Sequence, residues 1–69
     1  MIPMKNNIRI ERAILNITQQ QLAEQIGVSR QTINAMESNK YVPSTVLALK
    51  IARLFGKKVE EIFTLEEED

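Results

Sequence analysis

An all-α fold of five helices is predicted, and three observations predict it. Residues suited to N-capping, Thr18, Ser29 and Ser44, stand before apolar runs, and residues that tolerate a left-handed backbone, Asn16, Gly27 and Gly56, stand after them. Apolar and polar residues never alternate over a sustained stretch, and only "KKVEEIFTL" could be read as a strand.

The first helix is expected over Asn7 to Leu15, where Ile8, Ile10, Ile14 and Leu15 provide a broad apolar face for burial. Asn16 follows at the position of a left-handed cap. Thr18 caps a second helix of about Gln19 to Gln25, with Gln21 completing a capping box and Ile17 placed for a hydrophobic staple. Leu22, Ala23 and Ile26 face inward, and Gly27 stops the helix by supplying a positive φ. Ser29 then opens a third helix, about Arg30 to Ser38, with Ile33 and Met36 on its inner face. "ESNKYVPS" reads as a loop in which Asn39 takes a positive φ and Pro43 closes the turn. Ser44 caps a fourth helix through about Phe55, whose Leu47, Ile51, Leu54 and Phe55 form one apolar stripe. A short last helix, about Val59 to Phe63, precedes the acidic "TLEEED", expected to fray at residues 66–69.

At 69 residues the chain forms one domain, spanning 1–69. A chain this short buries only about 60% of the surface it exposes when unfolded, which leaves no room for an enclosed substrate pocket. It contains neither Cys nor His, so disulfides, thiolate metal sites and the usual zinc and general-base chemistry are excluded. No enzyme, cofactor or metal site is expected, nor a separate domain for a small-molecule effector. Nothing resembles a membrane span or a signal peptide, so a cytoplasmic protein is expected.

The net charge of zero conceals an asymmetry. Residues 1–58 carry all nine Lys and Arg against three Glu, a net +6, while residues 59–69 carry six acids and no base, a net −6. The body is basic and suits a polyanionic partner.

The turn between the second and third helices is short enough to force a steep crossing. Ala23, Gly27 and Ile33 answer that need with a small contact residue, a turn glycine and an inward apolar residue, the pattern of a helix-turn-helix. "ITQQQLAEQIGVSRQTINAMESNKYVPS", followed by "ALKIARLFG" and "VEEIF", closely resembles the Cro and phage-repressor type of helix-turn-helix regulator, the XRE family. The resemblance covers about Asn6 to Phe63. It implies a compact five-helix bundle of the lambda-repressor kind, with the third helix in the major groove of double-stranded DNA and the second crossing above it.

On that resemblance Arg30, Gln31, Thr32 and Asn34 are the candidates for base contacts. Arg bonds guanine in bidentate fashion, and Gln or Asn bonds adenine. Arg30 has a phosphate contact as its alternative. Phosphate contacts are expected from Thr18, Gln19, Ser29, Asn39, Lys40, Tyr41 and Arg9, with capping the first task of Thr18 and Ser29. "ESNK" departs from the commoner Glu-Asn-Gly-Lys of this loop, and Asn39 takes the place of its glycine. The family also implies that Arg12 pairs with Glu37 as a structural ion pair. Lys58 departs from the usual Ser or Thr cap before "VEEIF".

The function this implies is a sequence-specific transcriptional regulator, a repressor most often, acting as a homodimer on a two-fold operator. Ile62, Phe63 and Leu65 are candidates for the dimer contact, with the alternative that Ile62 and Phe63 close the monomer's core. Two rival readings are an antitoxin that autoregulates a toxin–antitoxin operon and a protein-interaction module on the same fold. Acidic or apolar residues outside the third helix would mark the latter, and "RQTIN" has neither.

Overall fold

Five helices and one small sheet make up the computed structural model, which describes residues 4–65. In chain order these are β1 (Met4–Asn6), α1 (Ile8–Leu15), α2 (Gln19–Ile26), α3 (Arg30–Glu37), α4 (Thr45–Phe55), α5 (Val59–Ile62) and β2 (Phe63–Leu65). The acidic segment 66–69 lies outside the described residues.

The helix ends follow from their capping chemistry. Thr18 Oγ1 accepts from the Gln21 N–H at 3.0 Å, and Gln21 Oε1 accepts from the Thr18 N–H at 2.8 Å, a reciprocal capping box. Ser29 and Ser44 accept from Thr32 N–H and Leu47 N–H in the same manner, at 3.1 and 3.2 Å. Asn16 and Gly27 close α1 and α2 with φ of 59° and 76°. Lys58 supplies no cap of its own; Glu61 Oε1 reaches back to accept from its N–H at 2.8 Å.

The expected all-α class is corrected by the sheet. β1 and β2 pair antiparallel, Met4 with Leu65, Lys5 with Thr64 and Asn6 with Phe63. Three residues are too few to display a strand period, and the pairing joins two segments nearly a whole chain apart, so no local pattern announces it. α5 accordingly ends at Ile62, one residue earlier than expected, because Phe63 is already extended at φ −113° and ψ 131°.

Ile8, Leu22, Ile33, Met36, Ile51 and Ile62 are fully buried and form the centre of the core. Ile62 and Phe63 lie in the monomer's own interior, the alternative that the sequence left open for them, and Leu65 is exposed. α1 brings a second correction. Ile10 and Ile14 are 58% and 67% exposed, and Leu15 is exposed as well. Ile8 and Ile10 lie about 200° apart around a helix, so one face cannot bury both. The inward positions of α1 are Ile8, Glu11 and Arg12, and charged residues occupy two of them. On α4 the buried set is Leu47, Ile51 and Ala52, with Leu54 and Phe55 only half-buried.

Those inward charges are paired. Glu11 Oε2 lies 3.2 Å from Lys57 Nζ, tying α1 to the segment between α4 and α5. Arg12 grips Glu37 with two parallel bonds, Nε to Oε2 at 2.7 Å and Nη2 to Oε1 at 3.2 Å, and its Nη1 donates to the Ile17 carbonyl at 2.9 Å. The Glu37 side chain is only 1% exposed. Burial pushes its carboxyl up, but hydrogen bonds from Arg12 and Gln19 and the charges of Arg12 and Arg9 outweigh this and hold it below the ordinary carboxylate range.

Removing either partner leaves the other largely desolvated and without its close counter-charge. Arg12→Ala and Glu37→Ala are each expected to destabilise the fold by about 3 kcal/mol or more, while Arg12→Met with Glu37→Leu recovers much of the loss; urea unfolding of these three variants beside the wild type measures this. A carboxyl lowered on folding stabilises fully above the unfolded carboxylate range, and the contribution is lost as pH falls through the folded value. The urea midpoint should therefore fall on acidification below the usual carboxylate range, and the fall should be shallower in Glu37→Gln.

Candidate nucleic-acid interface

Between α2 and α3 the chain turns through Gly27 and Val28, and the Val28 N–H donates to the Ala23 carbonyl at 3.0 Å. Ala23 is fully buried where the helices meet, and a larger side chain would force them apart. Ile33 and Met36 fasten α3 from within at 0% exposure. Arg30, Gln31 and Asn34 consequently project outward and are exposed.

The outer residues are not equivalent. Thr32 is half-buried, and its hydroxyl lies 3.0 Å from that of Ser29, so the two share one hydrogen bond at the start of α3. Gln19 leans from α2 across to α3, its Nε2 donating to Glu37 Oε1 at 3.0 Å and to Asn34 Oδ1 at 3.3 Å. Both amide hydrogens of Gln19 are thereby spent within the chain, and its carbonyl oxygen cannot attract a phosphate. The bond occupies the Asn34 oxygen and leaves the Asn34 NH₂ as that side chain's available donor. Beside Gln31 lies a shallow hollow of about 220 Å³, lined by Ser29, Gln31, Thr32, Ala35 and Tyr41.

The loop after α3 folds back on the helix. Asn39 takes φ 60°, and the N–H groups of Asn39 and Lys40 donate to the carbonyls of Met36 and Ala35 at 3.0 and 2.8 Å. Those two amides are thus committed to closing α3, and the side chains of Lys40 and Tyr41 are what the loop offers outward. Arg9 stands at the same end of α3. Its side chain is 73% exposed and its Nε lies 3.6 Å from Glu37 Oε1, so part of its charge is spent on that carboxylate.

Sequence reasoning missed Asn6. Its Nδ2 donates to the Met36 carbonyl at 2.7 Å and to Asn39 Oδ1 at 3.3 Å, while its Oδ1 accepts from the Ile8 N–H at 3.1 Å. One amide thereby joins β1, the start of α1, the end of α3 and the following loop. An Asn in an unpatterned segment such as "MKNN" carries no signal of such a role.

Among the described residues no group of side chains could hold a metal ion, and no helix is long and apolar enough to cross a membrane.

The helix-turn-helix family model matches residues 8–62. An HTH-type transcriptional regulator of Methanocaldococcus jannaschii is 53% identical over 66 residues, which cover 96% of this chain and 100% of that protein. The regulator YgzD of Bacillus subtilis is 48% identical, with the same shares covered. The HTH-type transcriptional activator BcrR of Enterococcus faecalis is 40% identical over 52 residues, 75% of this chain and 26% of that protein. The crystal structure of a candidate DNA-binding protein from Bacteroides fragilis superposes with a TM-score of 0.79 at 34% identity, covering 88% of this chain and 98% of that one. With the α2–turn–α3 geometry these matches agree: the chain belongs to the XRE family of helix-turn-helix regulators, the Cro and phage-repressor type.

Proposed function

We propose that the protein is a transcriptional repressor that binds a two-fold operator as a homodimer, laying α3 in the major groove. The observation that carries the proposal is the division of α3 into a face that the core explains and a face that it does not. Ile33 and Met36 are buried, whereas Arg30, Gln31 and Asn34 are exposed polar groups of the kinds that read base edges. A helix of eight residues reaches only a few base pairs, so two copies with half-site centres about 34 Å apart are needed for a selective site.

In this reading Gln31 is the principal base reader, because Gln19 and Glu37 leave it free. Arg30 takes a guanine edge or a phosphate. Asn34 donates through its NH₂, with Gln19 holding its orientation. Thr32 offers its methyl to a thymine while its hydroxyl stays with Ser29. Lys40, Tyr41 and Arg9 take phosphates. Thr18 and Ser29 remain caps whose hydroxyls sit beside the backbone, and Gln19 acts by positioning α3 more than by direct contact.

A selection of bound duplexes from random DNA tests the proposal, with a palindromic motif as the expected result; a pool without one would refute sequence-specific binding. Repeating it with Gln31→Ala should relax one position in each half-site and weaken binding by about 1–3 kcal/mol per half-site. Lys40→Ala should weaken all duplexes alike and lower the slope of log affinity against log salt by about one per protomer in titrations across salt concentration.

A further inference from the structure

The hydrogen bonds that link Glu37, Gln19 and Asn34 have a fixed direction, set from the interior outward. Glu37 is the inner end: its side chain is 1% exposed, and Arg12 holds both of its oxygens. Those bonds keep the carboxyl ionised, so it can only accept. The Gln19 atom 3.0 Å from Glu37 Oε1 must then be the amide nitrogen, since its carbonyl oxygen would meet a second oxygen there. That nitrogen has one hydrogen left, aimed at the Asn34 side chain 3.3 Å away. Only an acceptor satisfies it, so Asn34 turns its Oδ1 toward α2. Its NH₂ is what an approaching molecule meets, because Asn34 is exposed on α3.

An unconstrained Asn on a helix surface has no such polarity, because its amide can rotate to present either atom. It suits adenine, where Oδ1 accepts from N6 and Nδ2 donates to N7. Here Gln19 draws the accepting half of that pair aside, and a donor alone fits a different edge. Guanine offers two neighbouring acceptors, O6 and N7, to the two hydrogens of the NH₂. Thymine offers one acceptor beside a methyl group, and cytosine would set a donor against a donor.

We propose that Gln19 is a specificity-determining residue that acts through Asn34: it carries the acceptor character of buried Glu37 to the surface, and so makes Asn34 select guanine over adenine. Gln19 is a positioning residue in this scheme, and Asn34 makes the contact. The inference rests on the reading of α3 as the helix in the major groove, and deepens it by naming a base and the residue behind its choice.

Selection from random DNA with the wild type, Asn34→Ala, Gln19→Met and Gln19→Lys tests this, after circular dichroism confirms the helix content of each. Asn34→Ala should relax one position in each half-site, which locates the base pair that Asn34 reads. At that position the wild type should favour G·C over A·T by roughly tenfold. Gln19→Met, which keeps the length of the side chain without its amide, should admit A·T there and leave the other positions unchanged. Gln19→Lys offers only donors to Glu37 and Asn34, so it should retain G·C. A preference for A·T in the wild type, no position that responds to Asn34→Ala, or a Gln19→Met motif identical to the wild type's overturns the proposal. A second readout needs no DNA. Solvent exchange of the side-chain NH₂ groups, followed by nitrogen-15 NMR, should be several-fold slower at Gln19 than at Gln31 or Asn34, and equal rates would sink the idea. Slow exchange at Gln19 in a protein that selects no duplex would refute the operator reading and the base assignment with it, while the polarity of Asn34 stands.

Discussion

A carboxylate almost closed off from water, Glu37, holds the helix-turn-helix of this molecule in place. It draws Arg12 from α1, Gln19 from α2 and, more loosely, Arg9 to the end of α3. The charge would be costly to bury alone, and the bidentate guanidinium with the amide donor offsets that cost. Because each bond has a narrow geometry, three helices come to share one register, and the outward side of α3 acquires a defined direction. Apolar packing alone would hold the helices together without selecting their rotation so sharply.

The same cluster divides the polar residues of "TQQQLAEQIGVSRQTIN" by task. Thr18 and Gln21 close the end of α2, and Gln19 bridges to α3, so none of these is idle surface. Leu22, Ala23 and Ile26 are core, and Gly27 reverses the chain. Arg30, Gln31 and Asn34 are what remain outward. Asn6 ties the sheet to the end of α3, so the pairing of β1 with β2 and the placement of α3 are mechanically joined.

Much of this arrangement was legible in the order of residues, and the parts that were not share a cause. Caps and left-handed residues act within three or four positions, so the limits of α2, α3 and α4 could be read nearly to the residue. The family likeness rests on the same local marks. The face of α1 was misread because four apolar side chains in one short helix do not say which of them meets the core; that depends on α1 being held by Arg12 and Glu11, whose partners lie 25 and 46 residues away. The sheet and the part played by Asn6 were invisible for the same reason.

The sequence by itself determined the helices, the tight turn, the family and the set of polar residues on α3, because each is settled by interactions between near neighbours. Tertiary structure alone decided that Ile62 and Phe63 belong to the interior, that Ile10 and Ile14 face outward, and that Gln19 is spent within the chain. Those outcomes depend on which distant surfaces are brought together. Burial and hydrogen-bond partnership are properties of that assembly, not of any one segment.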